Sequence, residues 1–465
     1  MSFDKLSQRL LAHRQDRLLR FWRELSAVER DVLTRQIEQI DFEQLGRLTR
    51  GTPQGAESSA DRSRRAKPAA LVVRAPVNPR ESPEWIAARK TGEKALRDGR
   101  VGIILVAGGE GSRLGFPRPK GEHPIGPISK KPLFQLLAEQ AVALSRRAGV
   151  PLPYYVMTSH ATHDETVAFY ESHGRFGMAR DQVQFFQQGT MPAVDRDSGK
   201  VLLASKHELA LNPDGHGGMI AALARSQMLD DMRRRGLELL YYHQVDNPLA
   251  RVCESAFLGF HVEYSSEVST KVVAKISPLE KMGVVVDVDG RTQIIEYSDL
   301  PDEVAALRDE RGELVHWAGS TAIHVFNRAF LDRLIDEKIE LPFHRAIKKV
   351  PFVDDKGERV EPERENAVKF ERFIFDALPL ARRALVVEAR REDEFCPLKN
   401  RSGDFSAEHV KASLMRLHAG WLRAAGAELR ADLPVEISPL YALDAEEVAK
   451  KLDRSRKFDA PVYLE

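Results

Sequence analysis

At 465 residues the chain is long enough for two or three domains, and its 43% hydrophobic content can form a sizeable core. Its 70 Lys and Arg residues balance 69 Asp and Glu residues to a net charge of +1, which argues against nucleic acid as a partner. Two distant cysteines favour neither a disulfide framework nor a zinc site. Without a membrane-length apolar run of ~20 residues or a signal peptide, we expect a soluble cytoplasmic protein with no membrane partner.

The first hundred residues combine a helical pattern with a polar interruption. One apolar stripe at i, i+4 and i+7 begins at Leu18 and another begins at Leu33, which predicts packed helices over residues 3–48. Residues 51–68 are polar, contain glycine and arginine, and show no periodicity. They predict a flexible linker or a mobile surface loop.

From residue 100 to about residue 390, short apolar runs alternate with helical patterns. This alternation favours an α/β fold with a mostly parallel sheet, in which ligands bind at the carboxyl ends of the strands. An apolar stripe from Leu133 to Leu144 predicts an amphipathic helix after the first strand. Strands are predicted at residues 101–106, 154–158, 183–186, 237–245, 270–276, 283–288, 294–297, 322–326 and 385–388. After residue 401, a helical pattern followed by short strands predicts a small C-terminal lobe.

The most informative stretch follows the first predicted strand. The loop there contains Gly108, Gly109, Gly111 and Gly115. Glycines let backbone N–H groups face a ligand, and the cations Arg113, Arg118 and Lys120 lie in or just after the loop, so the stretch predicts a nucleoside triphosphate site. The glycine spacing is not the dinucleotide fingerprint, and no Gly-Lys-Ser/Thr of a Walker A loop follows. A plain strand-to-loop turn is the alternative.

Three later segments place polar groups after predicted strands. Gln188 precedes a glycine, where an amide either reads a pyrimidine edge or completes a turn. The loop at Gly215 and His216 leads into a helix, whose N-terminus offers free N–H donors and a positive dipole end. Asp246 closes an apolar strand, which suits a Mg²⁺-binding carboxylate or, because Asn and Pro follow, a simple turn.

Taken together, these segments resemble a known family. The run Leu105-Val-Ala-Gly-Gly-Glu-Gly-Ser-Arg-Leu-Gly115, with Pro119-Lys120, resembles the nucleotidyltransferase signature of the UDP-sugar pyrophosphorylases, and among them the UDP-N-acetylhexosamine pyrophosphorylases. Other segments resemble the same family in chain order, so the resemblance covers nearly the whole chain. They are residues 19–25, 185–192, 212–218, 241–249, 275–284, 294–299, 369–376 and 391–400.

The resemblance implies roles for individual residues. The nucleotide would be bound by Gly108, Gly109, Gly111, Gln188, Gly215 and Asp246. The catalytic cations would be Arg113 and Lys120 on the triphosphate and Lys399 on the sugar phosphate, with Mg²⁺ on Asp246. The sugar would be contacted by His216, Gly283, Glu296, Ser320, Phe373 and Phe375. Core packing is the alternative for the two phenylalanines, and a surface strand is the alternative for Glu296.

The same resemblance implies a Rossmann-like, GT-A-like nucleotidyltransferase core with a mixed sheet over residues 100–395. A helical region at 1–99 and a small α+β lobe at 396–465 would flank it. The implied reaction joins UTP and N-acetylglucosamine-1-phosphate into UDP-N-acetylglucosamine and pyrophosphate, by in-line attack on the α-phosphorus. No nucleic acid partner is expected, and the chain would be a monomer or a weak homo-oligomer.

Two departures from the family pattern concern the sugar. Members specific for N-acetylhexosamines carry Asn where this chain has His216, and Asn-Ala-Gly-Asn where it has Trp317-Ala-Gly-Ser320. The Gly-His-Gly loop resembles instead the UDP-glucose and general UDP-sugar enzymes, so glucose-1-phosphate or another hexose-1-phosphate is the alternative substrate. A catalytically silent nucleotide-sugar-binding protein would lack the catalytic cations or the metal carboxylate, and all of them are present. A dinucleotide-binding oxidoreductase would need the other glycine spacing.

Overall fold

The computed structural model describes residues 2–51, 59–430, 432–453 and 458–465. Its α-helices are α1 (Phe3–Ala12), α2 (Ala27–Glu38), α3 (Phe42–Thr49), α4 (Ser59–Arg65), α5 (Pro83–Arg97), α6 (Leu133–Ala148), α7 (His163–Ser172), α8 (Met219–Arg225), α9 (Met228–Arg234), α10 (Ser255–Glu263), α11 (Asp302–Ala305), α12 (Arg328–Asp336), α13 (Arg391–Glu394), α14 (Ala407–Ala424) and α15 (Ala445–Lys451). None of these helices, which all lie within the ranges just given, is both long enough and apolar enough to cross a bilayer.

The strands of the same ranges are between two and ten residues long. They are β1 (Lys67–Pro68), β2 (Val72–Val73), β3 (Val101–Val106), β4 (Tyr154–Thr158), β5 (Val183–Gln187), β6 (Thr190–Pro192), β7 (Val194–Asp195), β8 (Leu203–Ser205), β9 (Glu208–Leu209), β10 (Leu211–Pro213), β11 (Leu239–Gln244), β12 (Val268–Ala274), β13 (Val284–Val288), β14 (Arg291–Ile295), β15 (Ala318–Asn327), β16 (Phe343–Lys348), β17 (Phe352–Val353), β18 (Arg359–Val360), β19 (Ala367–Arg372), β20 (Ala384–Glu388), β21 (Val435–Ile437) and β22 (Val462–Leu464).

The chain forms two compact units, each assembled from three separate segments. The first unit consists of Met1–Glu57, Gln188–Ala221 and Glu340–Asp376. The second unit consists of Ser58–Gln187, Ala222–Ile339 and Ala377–Glu465. The division predicted at residues 99 and 395 follows sequence pattern rather than contacts, and it stays a prediction.

The second unit is built on a mixed sheet with the order β2-β20-β12-β15-β11-β3-β4-β5. Strand β3 pairs in parallel with β11 and β4, whereas β15 runs antiparallel between β11 and β12. The prediction of a mostly parallel sheet is therefore correct for five of the seven pairings in this order, and the antiparallel β15 makes the sheet mixed. The chain reaches β15 through the β13–β14 hairpin and the short helix α11, without the long crossover helix that a parallel connection requires.

Strand β3 leads into the glycine loop, and its burial explains why it could be predicted from the sequence. All of its residues are buried except the half-buried Val106. A strand that is covered on both faces reads as a continuous apolar run rather than as an alternating one. The loop that follows β3 therefore starts from a rigid support.

Two helices of the second unit, α5 and α10, cross at backbone contact distance. A Cβ added to Gly92 would lie 1.8 Å from the carbonyl oxygen of Ser255, and one added to Gly259 would lie 1.7 Å from that of Ala88. No side chain fits at either crossing point, so both positions require glycine. The crossing places Phe257 of α10 in the main hydrophobic core.

Helix α15, near the end of the described chain, is tied to α5 by charge. The carboxylate of Glu446 pairs with Arg89 Nη1 at 2.8 Å and with Lys450 Nζ at 2.7 Å. Hydrogen bonds from Lys450 and Arg89 favour the ionised carboxylate and lower the pKa of Glu446 to about 2.

Glu446→Gln is expected to remove a small, pH-dependent part of the stability. Because the folded pKa of Glu446 is about 2 and the ordinary value is 4.5, the contribution is present above the ordinary value and is lost as the pH falls towards 2. Thermal unfolding of wild type and variant at pH 7, 4 and 3 should show a midpoint difference that shrinks with acidity. An undiminished difference at pH 3 would contradict the assignment, and Glu43→Gln, at an exposed position on α3, is the control.

In the first unit, helices α1–α3 cover a group of short strands. Leu6 and Leu33 bury their side chains with Val368 and Phe370 of β19 in one apolar cluster. The strand pairings of this unit are β16-β19-β7, β10-β6, β17-β18 and β8-β9.

The prediction of helices over residues 3–48 is correct for α1, α2 and α3 but not for the first apolar stripe. Leu18 lies in a 3₁₀ turn, and Trp22 and Leu25 lie in the turns that follow it. A capping box between Ser26 and Glu29 starts α2 only after this stripe. Leu18 and Leu25 are nevertheless buried, so burial was predicted correctly and local conformation was not.

The linker predicted at residues 51–68 lies partly outside the described residues, and its described part from residue 59 onward is structured. Residues 52–58 lie outside the described residues, but α4 occupies the following seven positions and β1 pairs with β13. Arg65 at the end of α4 forms a salt bridge with Asp289 at 2.7 Å. Such long-range contacts order a polar segment whose sequence shows no periodicity.

Candidate active site

The loop after β3 folds back on itself through its own backbone. The N–H of Lys120 donates to the carbonyl of Gly109 at 3.0 Å, and the N–H of Gly111 donates to the carbonyl of Arg118 at 2.9 Å. These bonds place Lys120 at the base of the loop, directly beside the end of β3.

Two glycines of this loop serve different purposes. A Cβ on Gly111 would lie 2.5 Å from the carbonyl oxygen of Phe116, so no side chain fits inside the turn. At Gly109 no atom of the described residues, apart from the glycine and its two neighbours in the chain, lies within 4 Å of the corresponding Cβ position. The backbone at Gly109 is therefore open to the close approach of a ligand.

The three cations of the loop differ in their surroundings. Arg118 is paired with Glu122 at 2.5 Å and with Glu165 at 2.8 Å. Lys120 Nζ lies 3.9 Å from the Asp246 carboxylate. Arg113 is exposed, and no described carboxylate forms a salt bridge with it. Arg113 and Lys120 are thus better placed than Arg118 to meet a triphosphate.

Asp246 lies where β11 ends beside β3. The N–H of Val245 donates to the carbonyl of Val106 at 3.0 Å, which continues the parallel ladder to the last residue of β3. The carbonyl of Asp246 accepts from the N–H of Leu398 at 2.7 Å. The residue after Leu398 is Lys399, so the structure brings the predicted residues Lys120, Asp246 and Lys399 together at one edge of the sheet.

Asn247 holds the Lys399 segment in place and was not among the predicted site residues. Its Nδ2 donates to the carbonyl of Glu394 at 2.8 Å, and its Oδ1 accepts from the N–H of Cys396 at 3.1 Å. The side chain is buried. In the sequence, Asn247 suggested only turn chemistry. Its two partners, Glu394 and Cys396, lie 147 and 149 positions away in the chain, and contacts over such separations leave no local sequence pattern.

A buried ion cluster of Lys271, Glu254 and Glu394 supports the same segment. Lys271 Nζ, on β12, lies 2.6 Å from Glu254 Oε2 and 2.5 Å from Glu394 Oε2. Burial alone would lower the pKa of Lys271, but the two carboxylates outweigh it and raise that pKa. Burial is also the main cause that raises the pKa of Glu394. A lysine beside the apolar residues Val272 and Val273 of β12 was the one sequence signal of this cluster.

Three residues predicted to bind the sugar lie together in the second unit. The N–H of Ser320 donates to the carbonyl of Gly283 at 2.8 Å, and a Cβ on Gly283 would lie 3.1 Å from Glu296 Oε1. Strand β15 bulges here, where its register against β12 shifts and Ala322 adopts φ +57°. Bulges of this kind redirect side chains next to binding sites.

The remaining predicted site residues lie in the first unit, where backbone contacts hold them close. The N–H of Asp214 donates to the carbonyl of Gly189, the neighbour of Gln188, at 3.0 Å, and the carbonyl of Asp214 accepts from the N–H of Arg372 at 2.7 Å. A Cβ on Gly215, whose φ is +84°, would lie 2.3 Å from the carbonyl oxygen of Arg372. Gln188 itself is buried.

The same unit forms an aromatic cluster. The ring of His216 lies 5.4 Å from that of Phe373 and 6.0 Å from that of Phe375, and the two phenylalanines stack at 5.0 Å. The N–H of Ile374 donates to His216 Nδ1 at 3.2 Å, so that nitrogen acts as an acceptor. An apolar ring surface with one fixed imidazole suits stacking against a sugar or a base better than proton transfer.

Comparisons with known proteins find similarity over most of the chain. Residues 76–458 match the family described as UTP–glucose-1-phosphate uridylyltransferase. The chain is 36% identical to UDP-N-acetylglucosamine diphosphorylase 2 of Arabidopsis thaliana, over 99% of this chain and 93% of that protein. It is also 36% identical to UDP-N-acetylhexosamine pyrophosphorylase-like protein 1 of Homo sapiens, over 97% and 95%. The solved uridine diphosphate N-acetylglucosamine pyrophosphorylase from Trypanosoma brucei is similar in fold, with a TM-score of 0.86 and 25% identity, over 100% of this chain and 98% of that one.

Proposed function

We propose a reaction for a chain that belongs to the UTP–glucose-1-phosphate uridylyltransferase family and is a nucleotidyltransferase. In this reaction the enzyme joins UTP to N-acetylglucosamine-1-phosphate and releases pyrophosphate. The observation that supports this most directly is the convergence of Lys120, Asp246 and Lys399 at the adjacent ends of β3 and β11. The N-acetyl sugar is favoured because the two similar proteins and the solved structure are named for N-acetylglucosamine or N-acetylhexosamine.

The sugar phosphate is the nucleophile, so the reaction needs no nucleophile from the protein. One of its oxygens attacks the α-phosphorus of UTP, and the bond between that phosphorus and the pyrophosphate oxygen breaks. Lys399 comes directly after Leu398, whose N–H donates to the carbonyl of Asp246. In the proposed reaction Lys399 binds the attacking phosphate. Lys120 and Arg113 oppose the charge of the triphosphate. Catalysis then depends on positioning and on charge neutralisation.

Mg²⁺ fits this site as a cofactor held largely by the substrate. Asp246 supplies hard oxygen donors and keeps 14% of its side chain exposed. Within the described residues no cluster of three His, Cys, Asp or Glu side chains forms a cage for a metal. One carboxylate plus phosphate oxygens is an ordinary Mg²⁺ ligand set. Bound in this way, Mg²⁺ would neutralise phosphate charge.

Glucose-1-phosphate is the second candidate substrate, and two contacts favour it. His216 Nδ1 is occupied by the N–H of Ile374, and the hydroxyl of Ser320 accepts from the N–H of Ala322 at 3.3 Å. A histidine and a serine, each with one acceptor atom already used, stand where the family pattern places a side-chain amide near an N-acetyl arm. A site that loses such a hydrogen bond discriminates less against the sugar without it.

Pyrophosphate release with UTP and Mg²⁺ should separate these candidates. The four acceptors to compare are N-acetylglucosamine-, N-acetylgalactosamine-, glucose- and galactose-1-phosphate. Turnover mainly with the N-acetyl sugars supports the proposal, and turnover mainly with glucose- or galactose-1-phosphate selects the second candidate. Silence with all four would contradict catalysis and favour a nucleotide-sugar-binding protein. Loss of turnover with EDTA, reversed by added Mg²⁺, tests the cofactor.

The finer architecture also belongs to the proposal. The mixed sheet and the similar solved structure support a GT-A-like nucleotidyltransferase core, with a helical N-terminal layer and a small C-terminal lobe. Size-exclusion chromatography with light scattering tests the proposed monomer or weak homo-oligomer.

A further inference from the structure

A loop directly after Lys399 brings one more cation toward the glycine loop. The N–H groups of Lys399 and Asn400 both donate to the carbonyl of Phe405, at 2.9 and 3.1 Å. These two bonds close residues 399–405 into a compact loop. Arg401 therefore lies in a loop whose conformation is held by these two backbone hydrogen bonds.

Arg401 lies beside Gly115 of the glycine loop. A Cβ on Gly115 would lie 3.7 Å from Nε of Arg401 and 3.9 Å from its Cζ. Gly115, with φ +74°, ends the 3₁₀ turn that contains Arg113. Arg401 and Arg113 are thus at the same end of the glycine loop, whereas Lys120 is bonded to Gly109 at the other end.

The charge of Arg401 is not neutralised by its surroundings. Its side chain is exposed, and none of the salt bridges between described residues involves it. Asp404, the acidic residue of the same loop, lies 3.6 Å from His409 instead. Arg118, by contrast, is already paired with two carboxylates. An arginine in this setting is available to a soluble anion.

We propose that Arg401 binds the β- and γ-phosphates of UTP, which leave as pyrophosphate. Lys120 and Asp246 mark the strand ends where the α-phosphate reacts, so the distal phosphates extend toward the other end of the glycine loop, at Arg113 and Arg401. The planar guanidinium matches two phosphate oxygens at once. This role rests on the proposed uridylyl transfer and adds a residue to it.

The reverse reaction tests the role, because pyrophosphate is then a substrate whose concentration can be varied. In Arg401→Gln the KM for pyrophosphate should rise roughly 10- to 100-fold, the range expected from the loss of a charged hydrogen bond. The KM for the UDP-sugar should stay within about twofold of wild type, and Arg401→Lys should recover part of the loss. Arg146→Gln, which removes one positive charge from an exposed position of α6, is the matched control.

The possible results separate cleanly. An unchanged KM for pyrophosphate in Arg401→Gln would overturn the role of Arg401, and so would an equal rise in the KM for both substrates, since that reports a distorted loop. If wild type performs neither direction of the reaction, the proposed function fails instead. Calorimetric titration of pyrophosphate into wild type, Arg401→Gln and Arg146→Gln then still tests Arg401, and equal affinities in all three would overturn its role.

Discussion

Lys120→Ala should lower kcat by about 10²-fold or more, which is the cost of removing one preorganised group that stabilises developing charge. Lys120 is fixed by its backbone bond to Gly109, and its ammonium lies 3.9 Å from Asp246. Lys399→Ala should cause a loss of the same order, because Lys399 binds the attacking phosphate. Steady-state pyrophosphate release with the preferred sugar phosphate measures both effects.

Lys90→Ala, at an exposed position of α5, is the control for loss of one lysine charge. Its kcat should equal that of wild type, and thermal unfolding of all three variants should show that the fold is intact. Near-wild-type turnover in Lys120→Ala or Lys399→Ala would remove that residue from the proposed mechanism. A loss confined to KM would mean that the residue binds the ground state and the transition state equally.

Lys271→Met should destabilise the second unit by about 3–5 kcal/mol, because it leaves the buried Glu394 carboxylate without its cation, while Glu254 keeps its salt bridge to Arg251 at 3.2 Å. Methionine keeps most of the volume, so the effect reports charge rather than a cavity. Urea unfolding followed by tryptophan fluorescence suits the measurement, since Trp85, Trp317 and Trp421 all belong to this unit.

A double variant and the pH dependence test this prediction more specifically. Adding Glu394→Gln to Lys271→Met should restore part of the stability, because it removes one uncompensated charge. Burial raises the pKa of Glu394 above its ordinary value of 4.5, and Lys271→Met removes the charge that opposes this rise, so the folded variant takes up protons more readily than the unfolded chain. Its deficit relative to wild type should therefore grow as the pH rises above 4.5. A change within about 0.5 kcal/mol, as expected for the exposed control Lys281→Met, would contradict the prediction.

The sequence allowed much of the central sheet and the glycine loop to be predicted, because both leave local patterns. Strand β3 was predicted at its observed residues since a strand buried on both faces is a continuous apolar run. The direction of β15 could not be predicted, because periodicity is the same in either direction. The assembly of two units from alternating segments was equally invisible, since no composition change marks the boundaries.

The site residues also divide into those that the sequence revealed and those that it did not. Lys120, Asp246 and Lys399 were found because their segments match a family pattern, and the structure brings them together, while their roles stay predictions. Asn247 and Lys271, which support the Lys399 segment, were missed, and so was Arg401, whose role is a proposal. The two carboxylates that bind Lys271 are 17 and 123 positions away, and separations of that size leave no trace in local spacing.

The interleaved first unit has a consequence for how the chain is made. Its helices α1–α3 are synthesised early, but their apolar faces are covered partly by Val368 and Phe370, which emerge more than three hundred residues later. At roughly 5–20 residues per second, that delay is about 16 to 65 seconds. For this interval Leu6 and Leu33 have no native partner on β19. A nascent chain therefore carries an incompletely covered apolar surface until most of its length has been synthesised.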